Sequence, residues 1–223
     1  MGHRTVAERV RHVRLLIEAA CLRSGRAPEQ VTLVAVTKGV APGAIREAVA
    51  AGVSHLGENR VQEAESKRRA LVDLPAGVRW HLVGHLQTNK VKTAIGLFDI
   101  IHSVDSLHVA EAISKRAQSP IPVFLEVNVA EDPAKYGFTI DELPHQHETI
   151  ARLPSIDIRG LMTVAPQVES AEMARPVFRR LREAARSLGL PELSMGMSDD
   201  FEVAVEEGTT HVRIGRALFG ERP

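Results

Sequence analysis

A lysine at the end of an apolar stretch is the first feature of this sequence that suggests chemistry. Lys38 follows residues 31–37, which are apolar and β-branched, and Gly39 and Pro42 close the run, a pattern typical of a strand buried on both faces. Burial at the mouth of a core disfavours the charged ammonium and leaves a neutral amine able to form a Schiff base with an aldehyde or ketone. The alternative is a lysine whose stem covers the strand end while its ammonium stays in water. This stretch alone leaves both interpretations open.

Two later loops carry groups suited to an anion. Ser198 follows Met195-Gly196-Met197 and is predicted to open a short helix, whose free N–H groups and hydroxyl favour a phosphate. Gly215 lets the backbone approach a ligand closely and present the N–H groups of Gly215 and Arg216. Each feature alone is explained by an ordinary helix cap or turn. Their occurrence together, after two consecutive strands, favours a phosphate site.

Arg213 is predicted to point inward from its strand, because the apolar residues Val212 and Ile214 occupy the other face. An inward arginine needs a partner. A ring nitrogen or an anionic oxygen of a ligand would serve, and so would Glu126 or Asp105.

Composition narrows the function classes. The 28 basic and 28 acidic residues balance, so nothing indicates a nucleic-acid or membrane partner. No signal peptide precedes the charged first helix, and the single cysteine, Cys21, is interpreted as a core residue of that helix; both favour the cytoplasm. His81 and His102 are interpreted as core histidines with satisfied hydrogen bonds, and no cluster has the spacing of a metal site.

Strand-like and helix-like segments alternate along the whole chain. The pattern predicts one domain over 1–223, a (β/α)8 TIM-type barrel preceded by an extra N-terminal helix within 1–26. An open doubly wound sheet is the alternative, but Thr37-Lys38-Gly39 stands where a glycine-rich nucleotide fingerprint would be expected. The eight predicted strands cover residues 31–37, 53–56, 79–83, 98–104, 121–129, 156–162, 192–195 and 210–214.

In such a barrel, functional groups gather at the carboxyl ends of the strands. A lysine after the first strand and a phosphate site after the last two would suit pyridoxal 5'-phosphate (PLP) held as an internal aldimine. Residues at or just beyond the predicted strand ends include Lys38, Asn59, His85, Asp105, Asn128, Thr163, Ser198 and Gly215.

The sequence also resembles the pyridoxal phosphate homeostasis protein family (the YggS/PROSC-type proteins) over residues 31–222. The resemblance is carried by VAVTKG, LGENRVQE, WHLVGHLQTNK, HSVDS, VNVAEDPAKYGF, GLMTVAP, LSMGMSDDFEVAVEEGTTHVRIG and ALFGER. It implies a barrel like that of alanine racemase and a monomer. It also implies site roles: Lys38 as the Schiff-base lysine, Ser198, Gly215 and Arg216 around the phosphate, and Asn59 and Arg213 near the ring.

The chain departs from the family pattern at two positions. Arg60 stands where many members have tyrosine, and Arg216 where many have threonine or serine. A solvated helix position explains Arg60. The loss of a hydroxyl at 216 leaves open whether that side chain contacts the phosphate.

The resemblance implies a protein that holds, buffers or delivers PLP within vitamin B6 homeostasis, with PLP-free enzymes as candidate recipients. We expect a carrier without efficient turnover and assign no catalytic residue. A two-base racemase needs a second base, the only tyrosine is Tyr136, and no further domain follows the barrel pattern. An inward Arg213 would also weaken the ring as an electron sink. The alternatives are a PLP enzyme with weak racemase-type activity and a Schiff-base aldolase acting on a sugar phosphate.

Overall fold

Eight parallel strands form a closed barrel in the computed structural model, which describes residues 4–221. Each strand pairs with the next along the chain, and β8 closes the barrel by pairing with β1. The predicted (β/α)8 fold is confirmed. The strands are β1 Thr32–Val36, β2 His55–Glu58, β3 Arg79–Leu82, β4 Ile100–Val104, β5 Ile121–Glu126, β6 Ile156–Met162, β7 Glu192–Ser194 and β8 His211–Ile214.

Helices surround the barrel, and short 3-10 turns at Pro28–Gln30, Thr88–Lys90 and Ala171–Ala174 join them to the strands. Within residues 4–221, no helix has the length and apolar character needed to cross a membrane. The helices are α1 Val6–Ser24, α2 Pro42–Ala50, α3 Val61–Ala70, α4 Val91–Leu97, α5 Leu107–Ser114, α6 Leu143–Ala151, α7 Arg175–Ser187, α8 Phe201–Glu206 and α9 Arg216–Phe219.

The predicted N-terminal helix is present as α1. Thr5 and Glu8 form a capping box at its start, and Gly25, with φ 67°, ends it in the left-handed region. It packs against α2, α8 and α9. Its buried face consists of Val10, Val13, Ile17, Ala20 and Cys21, so the core position predicted for the cysteine is confirmed.

Several predicted boundaries were wrong. The second strand runs over 55–58 instead of 53–56, because Gly57 and Glu58 pair with β3 and this ladder outweighs the low strand propensity of glycine. The sequence pattern also predicts helices over 140–152 and 169–187, but these helices begin later, at Leu143 and Arg175. Each has a proline in its first turn, where the missing N–H costs nothing, whereas an earlier start would place that proline in the helix interior. The fifth strand ends at Glu126 instead of residue 129, beyond which only one isolated bridge forms.

Candidate functional site

A cavity of about 1130 Å³ opens where the strands end, and the predicted site residues meet there. They come from the segments after β1, β2, β7 and β8, together with Arg213 of β8 itself, so the barrel brings together residues that are far apart in sequence. The cavity lining includes Lys38, Asn59, Ser198, Arg213, Gly215 and Arg216.

Lys38 enters the cavity from the end of β1. Val36 lines the cavity and therefore faces the barrel interior. Val34 shares that face, because a Cβ added to Gly57 would lie 3.0 Å from Val34 Cγ1 and 3.5 Å from Val36 Cγ2. Lys38 continues this alternating row and lines the cavity beside Val36. It is half-buried, at the mouth of the core as predicted.

Asn59 follows β2 directly, and its backbone packs against Gly84, which follows β3. A Cβ at Gly84 would collide with the Asn59 carbonyl, so a glycine is required there for this close approach. Arg60 is exposed at the start of α3, consistent with a solvated helix residue.

Ser198 joins the loop after β7 to the start of α9, because its hydroxyl accepts a hydrogen bond of 3.2 Å from the N–H of Ala217. Its own hydrogen remains available to a ligand. The prediction that Ser198 opens a helix was wrong, since α8 begins only at Phe201. Residues 198–200 form a turn before the helix, in which the N–H of Phe201 donates to the carbonyl of Met197 at 2.9 Å and Asp200 accepts the N–H of Met197 at 2.6 Å.

Gly215 and Arg216 form the other side of this end of the cavity. A Cβ at Gly215 would lie 3.2 Å from the carbonyl oxygen of Val36, so glycine lets the start of α9 lie close to β1. The guanidinium of Arg216 forms an ion pair with Asp199, and both side chains are largely exposed. The side chain that replaces the family's hydroxyl is therefore engaged by a carboxylate at the rim of the cavity.

Arg213 points inward, as predicted, but its partners differ from those expected. It donates hydrogen bonds of 2.6 Å to Ser194 Oγ and 2.8 Å to the carbonyl of Thr163, whereas Glu126 acts on it only as a nearby charge. Burial lowers the pKa of Arg213 to about 10, although Glu126 and Asp200 oppose that change. Ser194 was not among the predicted site residues, although its position between the apolar residues Leu193 and Met195 already places it on the inward face of the strand.

Three histidines continue the hydrogen-bond chain from Ser194 across the barrel interior. Nδ1 of His102 lies 2.7 Å from Ser194 Oγ, Nδ1 of His81 lies 2.8 Å from Nε2 of His102, and Nδ1 of His55 lies 2.8 Å from Nε2 of His81. His55 also lines a smaller cavity at the opposite end of the barrel. The prediction of satisfied core histidines therefore holds for His81 and His102, which are also inward-facing.

The three histidines of this hydrogen-bond chain are neutral at neutral pH, because their pKa values are lowered. Burial lowers the pKa of His81 and of His102 well below the ordinary value, and the neighbouring histidines lower both further. Burial also lowers the pKa of His55, and the positive charge of Arg79 lowers it further. Over residues 4–221, no group of three or more histidine, cysteine, aspartate or glutamate residues is arranged to hold a metal ion.

Asp105, just after β4, and Glu126, the last residue of β5, form a separate acidic group. Burial raises the pKa of Glu126 to about 7, the charge of Asp105 raises it further, and Arg213 opposes the change. Asp105 also accepts a 2.7 Å hydrogen bond from His85, whose ring stacks on Tyr136 with the centroids 4.0 Å apart. His85, Asp105 and Tyr136 lie outside the cavity lining.

Asn128 does not contribute to the cavity either. Its side chain donates to the carbonyl of Asp132 at 2.8 Å and accepts the N–H of the same residue at 3.1 Å. It therefore shapes the loop after β5.

Comparison with known proteins gives the family. The model of the family "Alanine racemase, N-terminal domain" matches residues 19–223. The pyridoxal phosphate homeostasis protein of Aquifex aeolicus is 46% identical over 224 residues, which cover 96% of this chain and 97% of that protein. This chain belongs to the pyridoxal phosphate homeostasis protein family.

Solved structures agree with membership of the pyridoxal phosphate homeostasis protein family. PipY of Synechococcus elongatus, determined with PLP bound, matches with a TM-score of 0.83 and 41% identity, covering 97% of this chain and 100% of PipY. Alanine racemase of Corynebacterium glutamicum is 20% identical with a TM-score of 0.72, covering 97% of this chain and 62% of the racemase. The second likeness shows a shared barrel fold.

Proposed function

We propose that this chain binds PLP as a Schiff base on Lys38 and takes part in intracellular PLP (vitamin B6) homeostasis by buffering or delivering the cofactor. The observation that carries the proposal is the shared cavity, which brings the amine of Lys38, the hydroxyl of Ser198 and the guanidinium of Arg213 together at one end of the barrel. The names and the bound PLP of the relatives support it.

The residues present fit PLP, which when bound supplies an aldehyde, a phosphate dianion and a pyridine ring. Lys38 provides the amine for the aldehyde. Ser198 has a free hydroxyl hydrogen, and Gly215 and Arg216 have backbone N–H groups at the start of α9, where an added Cβ would crowd β1. These donors suit a phosphate. Arg213 and Asn59 also line the cavity and would lie near the ring.

Arg213 supports a carrier over an efficient enzyme. A guanidinium donates hydrogen bonds and keeps its proton, so beside a ring nitrogen it would hold that nitrogen unprotonated and weaken electron withdrawal by the ring. Tyr136, the single tyrosine, stacks on His85 outside the cavity lining, so it does not occupy the position of a second base there. We infer that bound PLP is held for transfer, with PLP-free enzymes as recipients and a monomer as the carrying form.

Two measurements test this function. The protein loaded with PLP is mixed with a PLP-free transaminase, and recovery of transaminase activity is compared with that given by an equal amount of free PLP, with and without a phosphatase that removes free PLP. A carrier protects its PLP and still activates the transaminase in the presence of the phosphatase, whereas the Lys38→Ala variant does not. Equal loss of activation for the loaded wild-type protein and free PLP would refute delivery.

Incubation of the loaded protein with a panel of amino acids in deuterated water tests the enzyme alternative. We expect the loaded protein to exchange the α-hydrogen of each amino acid no faster than an equal amount of free PLP does. Rapid labelling of any amino acid would make the chain a PLP enzyme.

A further inference from the structure

Lys67 on α3 donates all three hydrogens of its ammonium to groups around the end of β1 and β2. Its Nζ lies 2.5 Å from the carbonyl oxygen of Thr37, 2.6 Å from Glu58 Oε1 and 2.7 Å from Glu63 Oε1. Thr37 also donates its hydroxyl hydrogen to Glu58. The Lys67 side chain is only 9% exposed and that of Glu58 is fully buried. A buried ion cluster therefore lies directly behind the strand that carries the site lysine.

This cluster holds the peptide groups on both sides of Lys38. The carbonyl of Thr37 belongs to the peptide before Lys38 and accepts from Lys67. The N–H of Gly39 belongs to the peptide after Lys38 and donates to Glu63 Oε1 at 2.6 Å. The backbone of Lys38 is thus fastened at both ends to side chains of one helix.

The cluster lies on the helix side of the barrel wall. Leu56 and Glu58 share the face of β2 opposite to Gly57, which faces the interior, and Glu58, Glu63 and Lys67 are not part of the cavity lining. These three side chains therefore act on the cavity only through the backbone that carries Lys38.

Stability alone does not account for the cluster. Two charges removed from water are rarely repaid in full by their attraction, and apolar residues of similar volume would often serve as well. Here the cost is visible: burial raises the pKa of Glu58 against the opposing effects of Lys67 and Thr37, and Glu58 Oε2 has no hydrogen-bond partner among residues 4–221. Burial also acts on Glu63, but its bonds to Lys67 and Gly39 outweigh that effect and lower its pKa.

We propose that Lys67 and Glu63, with Glu58 holding the Lys67 ammonium and the Thr37 hydroxyl in place, are positioning residues that fix both peptide groups of Lys38 and so hold its amine where the aldehyde of PLP is delivered. The inference rests on the proposed function and adds to it the residues that orient the reacting lysine. The amine lies at the far end of a long side chain, so a rotation of either peptide group of Lys38 moves the amine through a larger distance than it moves the Cα. Misplacement by about 1 Å costs as much as roughly 100-fold in rate when two groups must meet in a defined geometry.

Glu63→Ala is the primary test, because Glu63 is partly exposed and its loss should not prevent folding. The variant lacks the acceptor for the Gly39 N–H and one partner of Lys67. We expect faster hydrogen exchange of the Gly39 amide in the ligand-free protein, and Schiff-base formation with PLP slowed by roughly 10- to 100-fold. Binding of pyridoxine 5'-phosphate, which has the ring and phosphate but no aldehyde, should stay within about twofold of wild type, since the variant displaces the amine alone.

Three further variants separate positioning from general damage. Glu63→Gln keeps a carbonyl oxygen for Gly39 and should restore most of the rate. Glu65→Ala is the matched control, because Glu65 lies on the same helix and forms an exposed ion pair with Arg69. It should behave as wild type. Lys67→Met removes the ammonium and, where it folds, should slow the reaction at least as much as Glu63→Ala.

The outcomes distinguish this inference from the function on which it rests. A wild-type protein that forms no Schiff base with PLP overturns both. A wild-type protein that forms one, together with a Glu63→Ala variant of unchanged rate, overturns the inference alone. Parallel loss of pyridoxine 5'-phosphate binding in Glu63→Ala would show a merely structural role and would also overturn it.

Discussion

Arg213 Nη1 lies 2.6 Å from Ser194 Oγ, and this contact sets the direction of the hydrogen bonds across the barrel interior. A guanidinium only donates, so the hydroxyl accepts from Arg213, and Nδ1 of His102 is then the neighbouring group that can accept the hydrogen of that hydroxyl. His102 must then carry its hydrogen on Nε2 and donate to His81, which by the same logic donates to His55. One fixed charge beside the cavity therefore orders a chain of neutral side chains.

The first prediction concerns these tautomers. At neutral pH, His55, His81 and His102 should each be uncharged with the hydrogen on Nε2, because a reversed chain would leave the hydroxyl hydrogen of Ser194 without an acceptor among the described residues. Nitrogen-15 NMR of the histidine side chains distinguishes the two tautomers and the charged form. His108, which is exposed on α5, is the control and should show signals of both tautomers. An Nδ1–H signal at His81 or His102 would contradict the assigned direction.

The second prediction is that Ser194→Ala destabilises the ligand-free protein by about 1–3 kcal/mol, the cost of buried polar groups that lose a partner. The variant leaves one N–H of Arg213 and Nδ1 of His102 without the bonds they have now. Urea unfolding measures the loss. Ser187→Ala is the control, because its hydroxyl bonds to Ala184 at an exposed helix end and should matter little. Equal losses of unfolding free energy in the two variants would show that the hydrogen-bond chain through Ser194 does not stabilise the protein.

The third prediction concerns the pair of Arg216 and Asp199. Both side chains are exposed, and exposed ion pairs are weak, so a bound phosphate should compete with Asp199 for the guanidinium. Asp199→Asn should therefore tighten PLP binding by about two- to fivefold. Fluorescence titration with PLP measures this change, and pyridoxal, which lacks the phosphate, should bind unchanged.

An Arg216→Ser background supplies the control for that result. There, Asp199→Asn should have little further effect, because no guanidinium remains to be released. Weaker PLP binding by Asp199→Asn in the wild-type background would mean that Asp199 supports the phosphate loop instead of competing with it.

The fourth prediction is a pH dependence of stability. The pKa of Glu126 in the folded protein is about 7, raised by burial from 4.5, so the folded state binds a proton that the unfolded state has released. This contribution to stability is complete below about pH 4.5 and is lost as the pH rises through 7. Glu126→Gln stays neutral, so relative to wild type it should gain about 1–3 kcal/mol between pH 5 and pH 8.5.

Urea unfolding of the ligand-free protein at the two pH values tests this prediction. Glu111→Gln, at an exposed position of α5, is the control and should show no such difference. A Glu126→Gln variant whose stability relative to wild type is the same at both pH values would contradict the raised pKa.

The sequence was sufficient to predict part of the cavity lining, namely Lys38, Asn59, Ser198, Arg213, Gly215 and Arg216, because each lies near a strand end that local pattern reveals, whereas His85, Asp105 and Asn128 lie outside the lining. Lys38 follows an apolar β-branched run, and Arg213 lies between two apolar residues on an alternating strand. Strand alternation and the closure of an eight-stranded barrel then place both residues at the same end of the barrel. This placement can be predicted without knowing any individual side-chain contact.

The partners of these residues could not be predicted in the same way. The bond between Ser194 and His102 joins residues 92 positions apart and depends on which side chains reach each other inside the closed barrel. The bond from Lys67 to Thr37 depends on how α3 packs on the strands, so the sequence shows only a charged helix. Ser198 was misplaced because small and polar residues mark the start of a helix only to within a few positions, and here residues 198–200 form a turn before α8 begins at Phe201.

The most direct test of the account is to trap the Schiff base. The purified protein is incubated with PLP, reduced with borohydride and mapped by peptide mass spectrometry, with Lys38→Ala treated in parallel. We predict a pyridoxyl group on the peptide that contains Lys38, bleaching of the absorbance of bound PLP on reduction, and no adduct in the variant. An adduct on another lysine, or none at all, would contradict the central claim.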